Sequence, residues 1–169
     1  MQKMLRLVCF FFLLLPVGAQ AATIENAFSP EQGATDLIVR TIGEAHRSIC
    51  IAAYYFTSYP MAEALVAAHA RGVDIKLVMD SHQKNRRVID YLTDNGVSTR
   101  TNNHYAIMHD KFMIIDGQTL ETGSFNFTRA AEYKNAENVL VVRDSPAVLE
   151  SYARQWSRLW DEASVSVRG

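Results

Sequence analysis

In residues 48–79, SICIAAYYFTSYPMAEALVAAHARGVDIKLVM, three signals follow one another. Ser48 to Phe56 is a short, nearly continuous apolar and aromatic run, the pattern of a strand buried on both faces. Pro60 then opens a helix through Ala70 that places Met61, Ala64, Leu65 and Ala68 on one side, and Arg71-Gly72 ends it. Val73 to Met79 repeats the strand pattern. A strand, a helix and a second strand in this order predict parallel pairing and an α/β fold.

The pattern extends in both directions. Upstream, Gln32 to His46 carries Ala34, Leu37, Ile38, Ile42 and Ala45 at helical spacing. Downstream, Arg86 to Asp94 reads as a helix closed by Asn95-Gly96, and Val97 to Thr101 as a third strand. The second half changes character: Ala106 to Ile115 is strand-like, Asp116-Gly117 is a hairpin signal, and Thr119 to Ser124 returns. Val139 to Val142 is a further strand. Pro146 to Trp160 is a final amphipathic helix with Leu149, Tyr152, Trp156 and Leu159 inward. No linker and no internal repeat divides the chain. The expectation is one domain over residues 23–169, an α/β fold with a mixed, largely parallel β-sheet flanked by helices on both faces.

The first residues read differently. Lys3 and Arg6 precede the apolar run Leu7 to Leu15, Pro16 and Gly18 break it, and Ala19-Gln20-Ala21 supplies small residues two apart. That is the pattern of a secretory signal peptide over residues 1–22, removed after Ala21 or Ala22, with a run too short to span a bilayer. Its loss takes the formal net charge from −1 to −3, so any anion-binding surface has to be local rather than global. Cys9 goes with it. Cys50 is left alone in an apolar strand, as an inert buried thiol with no disulfide partner. An export signal without disulfides suits a bacterial periplasm or exterior.

The hairpin carries the chemistry. Residues two apart on a strand share a face, so His109 and Lys111 point the same way. With a two-residue turn at Asp116-Gly117, Ile115 faces Gln118, Lys111 faces Thr122, and His109 faces Ser124, with Asn126 on the same side. Taken singly these residues are ordinary: a polar strand histidine, a solvated lysine, turn formers. Together they put an imidazole, an ammonium, a hydroxyl and an amide on one patch. Lysine neutralises a phosphate oxygen, serine and asparagine donate hydrogen bonds, and histidine attacks phosphorus or moves a proton. Asp116 lies an odd number of residues from His109's partner face and is expected to serve the turn.

His109-Asp110-Lys111-Phe112-Met113-Ile114-Ile115-Asp116 matches the H-x-K-x-x-x-x-D signature of the phospholipase D superfamily, and Gly123-Ser124-Phe125-Asn126 matches its G-S-x-N element. Phe28-Ser29-Pro30, Tyr54 to Ser58 and Arg71-Gly72-Val73 extend the likeness, which is strongest to the small bacterial endonucleases of that superfamily. The resemblance implies that His109 is the nucleophile and forms a phosphohistidine, that Lys111, Ser124 and Asn126 hold the phosphate, and that Glu137 hydrogen-bonds a catalytic histidine. Asp116 enters the catalytic set only because the motif contains it. The family needs two such histidines and this chain has one motif, since His46, His69, His82 and His104 lack the matching Lys and Asp. A two-fold homodimer with the site on its axis is therefore implied.

No cofactor and no metal is expected: the fixed cation and donors do the work, and no H-E-x-x-H or C-x-x-C spacing is present. DNA or RNA is the first expectation for substrate, cut without sequence preference. Lys84, Arg86, Arg87, Arg100, Arg129 and Lys134 are candidates to follow a phosphate backbone, with Tyr105 and Phe127 to stack on bases. Phospholipid head-group hydrolysis or transfer is the alternative, and a non-catalytic phosphate-binding module a third. No basic amphipathic helix points to stable membrane association.

Overall fold

A computed structural model describes residues 21–83 and 85–165. In chain order they form β1 (Thr23–Ser29), α1 (Ala34–Gly43), β2 (Ser48–Ala53), α2 (Tyr59–Ala70), β3 (Asp74–Asp80), α3 (Arg87–Asp94), β4 (Ser98–Asn102), β5 (Lys111–Ile115), β6 (Thr119–Gly123), α4 (Arg129–Tyr133), β7 (Glu137–Arg143), α5 (Pro146–Asp161) and β8 (Ser164–Val165). The signal peptide read in residues 1–22 falls almost wholly outside the described residues. The strands make one sheet in the order β1-β7-β6-β5-β2-β3-β4-β8.

The apolar run of β2 has its explanation in this order. Ile49, Ile51 and Ala53 join the core under α1, α2 and α3. Ala52, on the opposite face, joins the smaller core under α5 with Phe112, Leu149, Trp156 and Leu159. Trp156 also donates its Nε1–H to the Ile51 carbonyl at 3.0 Å, which fixes α5 over the centre of the sheet. Burial of such a ring contributes roughly 2–3 kcal/mol.

The mixed α/β sheet with helices on both faces is what the sequence predicts, but its parallel part is the minority. Only β2–β3 and β3–β4 are parallel. Strand β5 enters beside β2 in the opposite direction, and β6, β7 and β1 follow as antiparallel neighbours.

Two local expectations change. Residues 106–110 are a loop, not the start of β5; buried Asp80 holds it by accepting from the Met108 N–H at 2.7 Å. The hairpin turn falls at the expected place, with Asp116 and Gly117 at φ 56° and 68° and Gln118 N–H bonded to the Ile115 carbonyl at 3.0 Å, though its loop holds three residues rather than the expected two. Pairing resumes one residue late, however, with Ile115 opposite Thr119 and Phe112 opposite Thr122. Gln118 is an extra residue on the returning strand, a bulge, and its carbonyl turns to accept from Asp144 N–H instead. The predicted pairing of Lys111 with Thr122 is thereby corrected by one position.

Candidate active site

The first residue of β5, the end of β2 and the exit from β6 meet at one edge of the sheet, since Ala53 pairs with Lys111. There the structure opens a cleft of about 730 Å³ lined by His109, Lys111, Ser124, Asn126 and Glu137. Five of the six residues singled out in the sequence therefore converge, in spite of the register offset. They do so because the chain leaves the sheet at Ser124, so strand alternation no longer sets its direction.

His109 is exposed at the cleft mouth, its ring 4.5 Å from that of Tyr54. Lys111 is buried to 9 % exposure and donates to the His109 carbonyl at 2.6 Å and to Nδ1 at 3.0 Å. An ammonium has only donors, so in this contact Nδ1 stands as the acceptor. The ammonium also lies 5.4 Å from the Tyr54 ring centroid. Burial pushes the Lys111 pKa down, against the raising effect of the Asp110 and Glu137 charges. A partly desolvated cation of this kind acts strongly on an incoming phosphate.

Ser124 Oγ donates to Glu137 Oε2 at 2.6 Å and accepts from Asn138 N–H at 3.1 Å. Asn135 Nδ2 holds the other Glu137 oxygen at 3.0 Å, so Glu137 is clamped from two sides and does not touch His109 of its own chain. Gly123 makes this clamp possible. A Cβ there would lie 2.1 Å from the Asn138 carbonyl oxygen, so only glycine lets β6 approach β7 this closely. Asn126 contributes a buried Oδ1 that has no partner among the described residues.

Asp116 is the exception, and its listing with the catalytic residues is corrected. It lies at the far end of β5 and does not line the cleft. Its carboxylate accepts the backbone N–H groups of His46, Arg47 and Ser48 at 2.7–2.9 Å, tying the hairpin to the start of β2. Burial raises its pKa, but the bonds from Ser48, His46 and Arg47 outweigh that and hold it below the ordinary value.

Three cleft residues carry no local signal in sequence: Ser151, Tyr152 and Gln155 of α5, brought in from the distant helix. Gln155 Nε2 donates to Asp110 Oδ2 at 2.8 Å and so braces the middle residue of the H-x-K triplet. Several proposed substrate contacts are not where the sequence suggested. Phe127 is fully buried, Tyr105 hydrogen-bonds Glu162 at 2.8 Å, and Arg100 is stacked 4.3 Å over Trp160. Lys84 lies outside the described residues. Among the described residues, no three His, Cys, Asp or Glu side chains gather as metal ligands would.

Comparison with known proteins agrees with this geometry. The family profile described as "Cardiolipin synthase, PLD-like domain" matches residues 38–160. A protein named phospholipase D from Rickettsia conorii is 34% identical over 143 residues, 79% of this chain and 67% of its own length. One named mitochondrial cardiolipin hydrolase from Chlamydomonas reinhardtii is 35% identical over 122 residues, and this chain spans only 54% of it. The crystal structure of Nuc from Salmonella typhimurium, described as a phospholipase D family member, superposes with a TM-score of 0.83 at 39% identity, covering 88% of this chain and 100% of Nuc. The sheet order, the cleft and these likenesses lead to one conclusion: the chain belongs to the phospholipase D superfamily and carries its PLD-like phosphodiesterase domain.

Proposed function

We propose that the protein is a metal-independent nuclease that cleaves DNA or RNA phosphodiesters as a homodimer after export to the periplasm or exterior. The observation that carries this reading is the convergence of His109, Lys111, Ser124, Asn126 and Glu137 on one open cleft. His109 Nε2 attacks phosphorus, forming a P–N bond as the P–O bond to the leaving oxygen breaks. A second histidine gives that oxygen its proton, then takes one from water, whose oxygen displaces His109. Lys111, Ser124 and Asn126 stabilise the charge on the non-bridging oxygens.

The contacts of a single protomer leave this scheme incomplete. While Lys111 Nζ faces Nδ1 at 3.0 Å that nitrogen accepts, whereas attack through Nε2 needs Nδ1 to carry the ring proton. A carboxylate accepting from Nδ1 reverses the tautomer, and Glu137 of the same chain is committed to Ser124 and Asn135. A second copy supplies the missing proton donor, its own His109. The polar rim of the cleft, with Asp110, Ser151 and Gln155, favours a hydrophilic polymer over a lipid.

The names of the relatives favour a second reading, hydrolysis of cardiolipin or another phospholipid. The deciding experiment incubates the protein and His109→Ala with plasmid DNA, RNA and cardiolipin vesicles in excess EDTA. Loss of nucleic acid with the parent alone is the expected result. Action only on vesicles replaces the substrate, and activity that returns only on adding metal removes the phosphohistidine scheme.

A further inference from the structure

Phe127 and Tyr105, which the sequence offers for base stacking, are buried or bonded elsewhere, whereas two other aromatic rings stay exposed, one of them, Tyr59, with its ring centroid 6.3 Å from that of Tyr91. Tyr133, at the end of α4, is 55% exposed, and Tyr59, at the start of α2, is 49% exposed. They line a shallow groove of about 210 Å³ together with Arg129. Neither tyrosine belongs to the two apolar cores. The Arg129 guanidinium sits 5.6 Å from the Tyr133 centroid, and the exposed Lys134 follows it. Among the described residues neither Arg129 nor Lys134 has an ion-pair partner. The nearest acid in sequence, Glu132, also lines the groove, but its half-buried carboxylate is taken up by the backbone N–H and hydroxyl of Thr35 at the start of α1.

This patch is tied to the cleft at both ends. Upstream, Thr128 N–H bonds the Asn126 carbonyl at 2.6 Å, and the Thr128 hydroxyl caps α4 by accepting from Ala131 N–H. Downstream, Asn135 donates to Glu137. Asn126 and Glu137, which both line the cleft, are thus each hydrogen-bonded to a residue that flanks α4.

We propose that Tyr133 and Tyr59 are a stacking platform, and Arg129 and Lys134 the phosphate contacts, for a single-stranded stretch of nucleic acid leaving the catalytic cleft. This rests on the nucleic-acid reading above and deepens it to a strand preference. Unpaired bases offer the free ring faces that stacking on tyrosine needs, whereas paired bases are already stacked on one another. Cations beside exposed aromatic rings match a chain that alternates phosphate and base. A lipid surface fits less well. None of the exposed aliphatic residues Ile24, Ile107, Leu140, Val148 and Val165 lines this groove.

The test compares the parent, Tyr133→Ala, Tyr133→Trp and the pair Arg129→Gln/Lys134→Gln on a fluorescent 20-nucleotide dT strand and on bis(p-nitrophenyl) phosphate, which is too small to reach α4. Stacking is worth about 1–3 kcal/mol per base, so Tyr133→Ala is expected to raise KM for the oligonucleotide roughly tenfold with kcat little changed. Tyr133→Trp restores it, the charge pair flattens the salt dependence of KM, and the small diester is cleaved equally by all. An unchanged oligonucleotide KM overturns the platform while leaving the nuclease reading intact. Equal loss on the small diester, or a dimer that becomes a monomer on sizing, overturns it by making α4 a structural support or a protomer contact. Loss confined to cardiolipin vesicles overturns it in favour of a membrane. A parent that cleaves the small diester but neither this strand nor an RNA of the same length overturns the nuclease reading and the platform together.

Discussion

The two ends of strand β5 are built on opposite terms. At the Asp116 end, the carboxylate accepts three backbone N–H groups, and Arg47 donates to the Asp116 carbonyl at 2.5 Å. At the His109 end, the Lys111 ammonium is buried, the imidazole is exposed, and Asn126 Oδ1 has no hydrogen-bond partner among the described residues. One motif thus contains a saturated anchor and, five to seven residues before it, an unsaturated site. The comparison teaches that membership in a motif does not define a role; the number of unmet hydrogen bonds does.

The largest test of this division is His109→Ala, expected to lower turnover by on the order of 10⁴-fold with an unchanged melting temperature, read by single-turnover cleavage and calorimetry. A comparable drop in melting temperature would break the comparison, because His109 would then be structural as well. Lys111→Met is next, with kcat expected to fall about 10²–10³-fold from the loss of charge stabilisation. A variant that raises only KM would place Lys111 in ground-state binding instead.

Glu121 sharpens the comparison from between the ends. It is wholly buried opposite Met113, its Oε2 has no hydrogen-bond partner among the described residues, and burial raises its pKa to about 8 from the usual 4.5. A carboxyl with a raised pKa binds its proton better in the folded state, so its effect is most favourable below pH 4.5 and is lost as pH rises to about 8. Glu121→Gln is expected to gain roughly 2–3 kcal/mol at pH 9 and little at pH 5, by urea denaturation. Equal effects at both values would mean that the carboxyl is already solvated.

Asp116→Ala is the smallest, a loss of roughly 2 kcal/mol near neutral pH with cleavage per folded molecule kept. Its sign is the reverse of Glu121. The depressed pKa gives stability that is present above 3.8 and fades as pH falls below it, and the variant should lose that fade. Cleavage lost in a fully folded variant would return Asp116 to the chemistry.

The sequence made the central architecture readable where burial is two-sided. Strands β2 and β3 and helix α2 announce themselves through unbroken apolar runs and helical spacing. Edge strand β1, TIENAFS, is mostly exposed and so lacks a clean alternation. Helix α4 has five residues, too few for a period to show. The proportion of parallel pairing was hidden because strand direction beyond β4 depends on where β5 inserts, which is a tertiary choice. In the site, His109, Lys111, Ser124, Asn126 and Glu137 were legible from spacing and from the likeness to the family. The Gln118 bulge was not, since it follows from the hydrogen bond its carbonyl makes to the residue after β7. Nor were Tyr152 and Gln155, which reach the cleft through the packing of α5.

Gly123 carries one more consequence. A mutational scan scored by activity alone would rank it beside His109, because even alanine must force β6 off the Asn138 carbonyl and open the gap between Ser124 and Glu137. Yet it presents no functional group to a substrate. What drift at this position has to preserve is a clearance between two backbones, and the breadth of the reaction cleft is gauged by a methyl group that is not there.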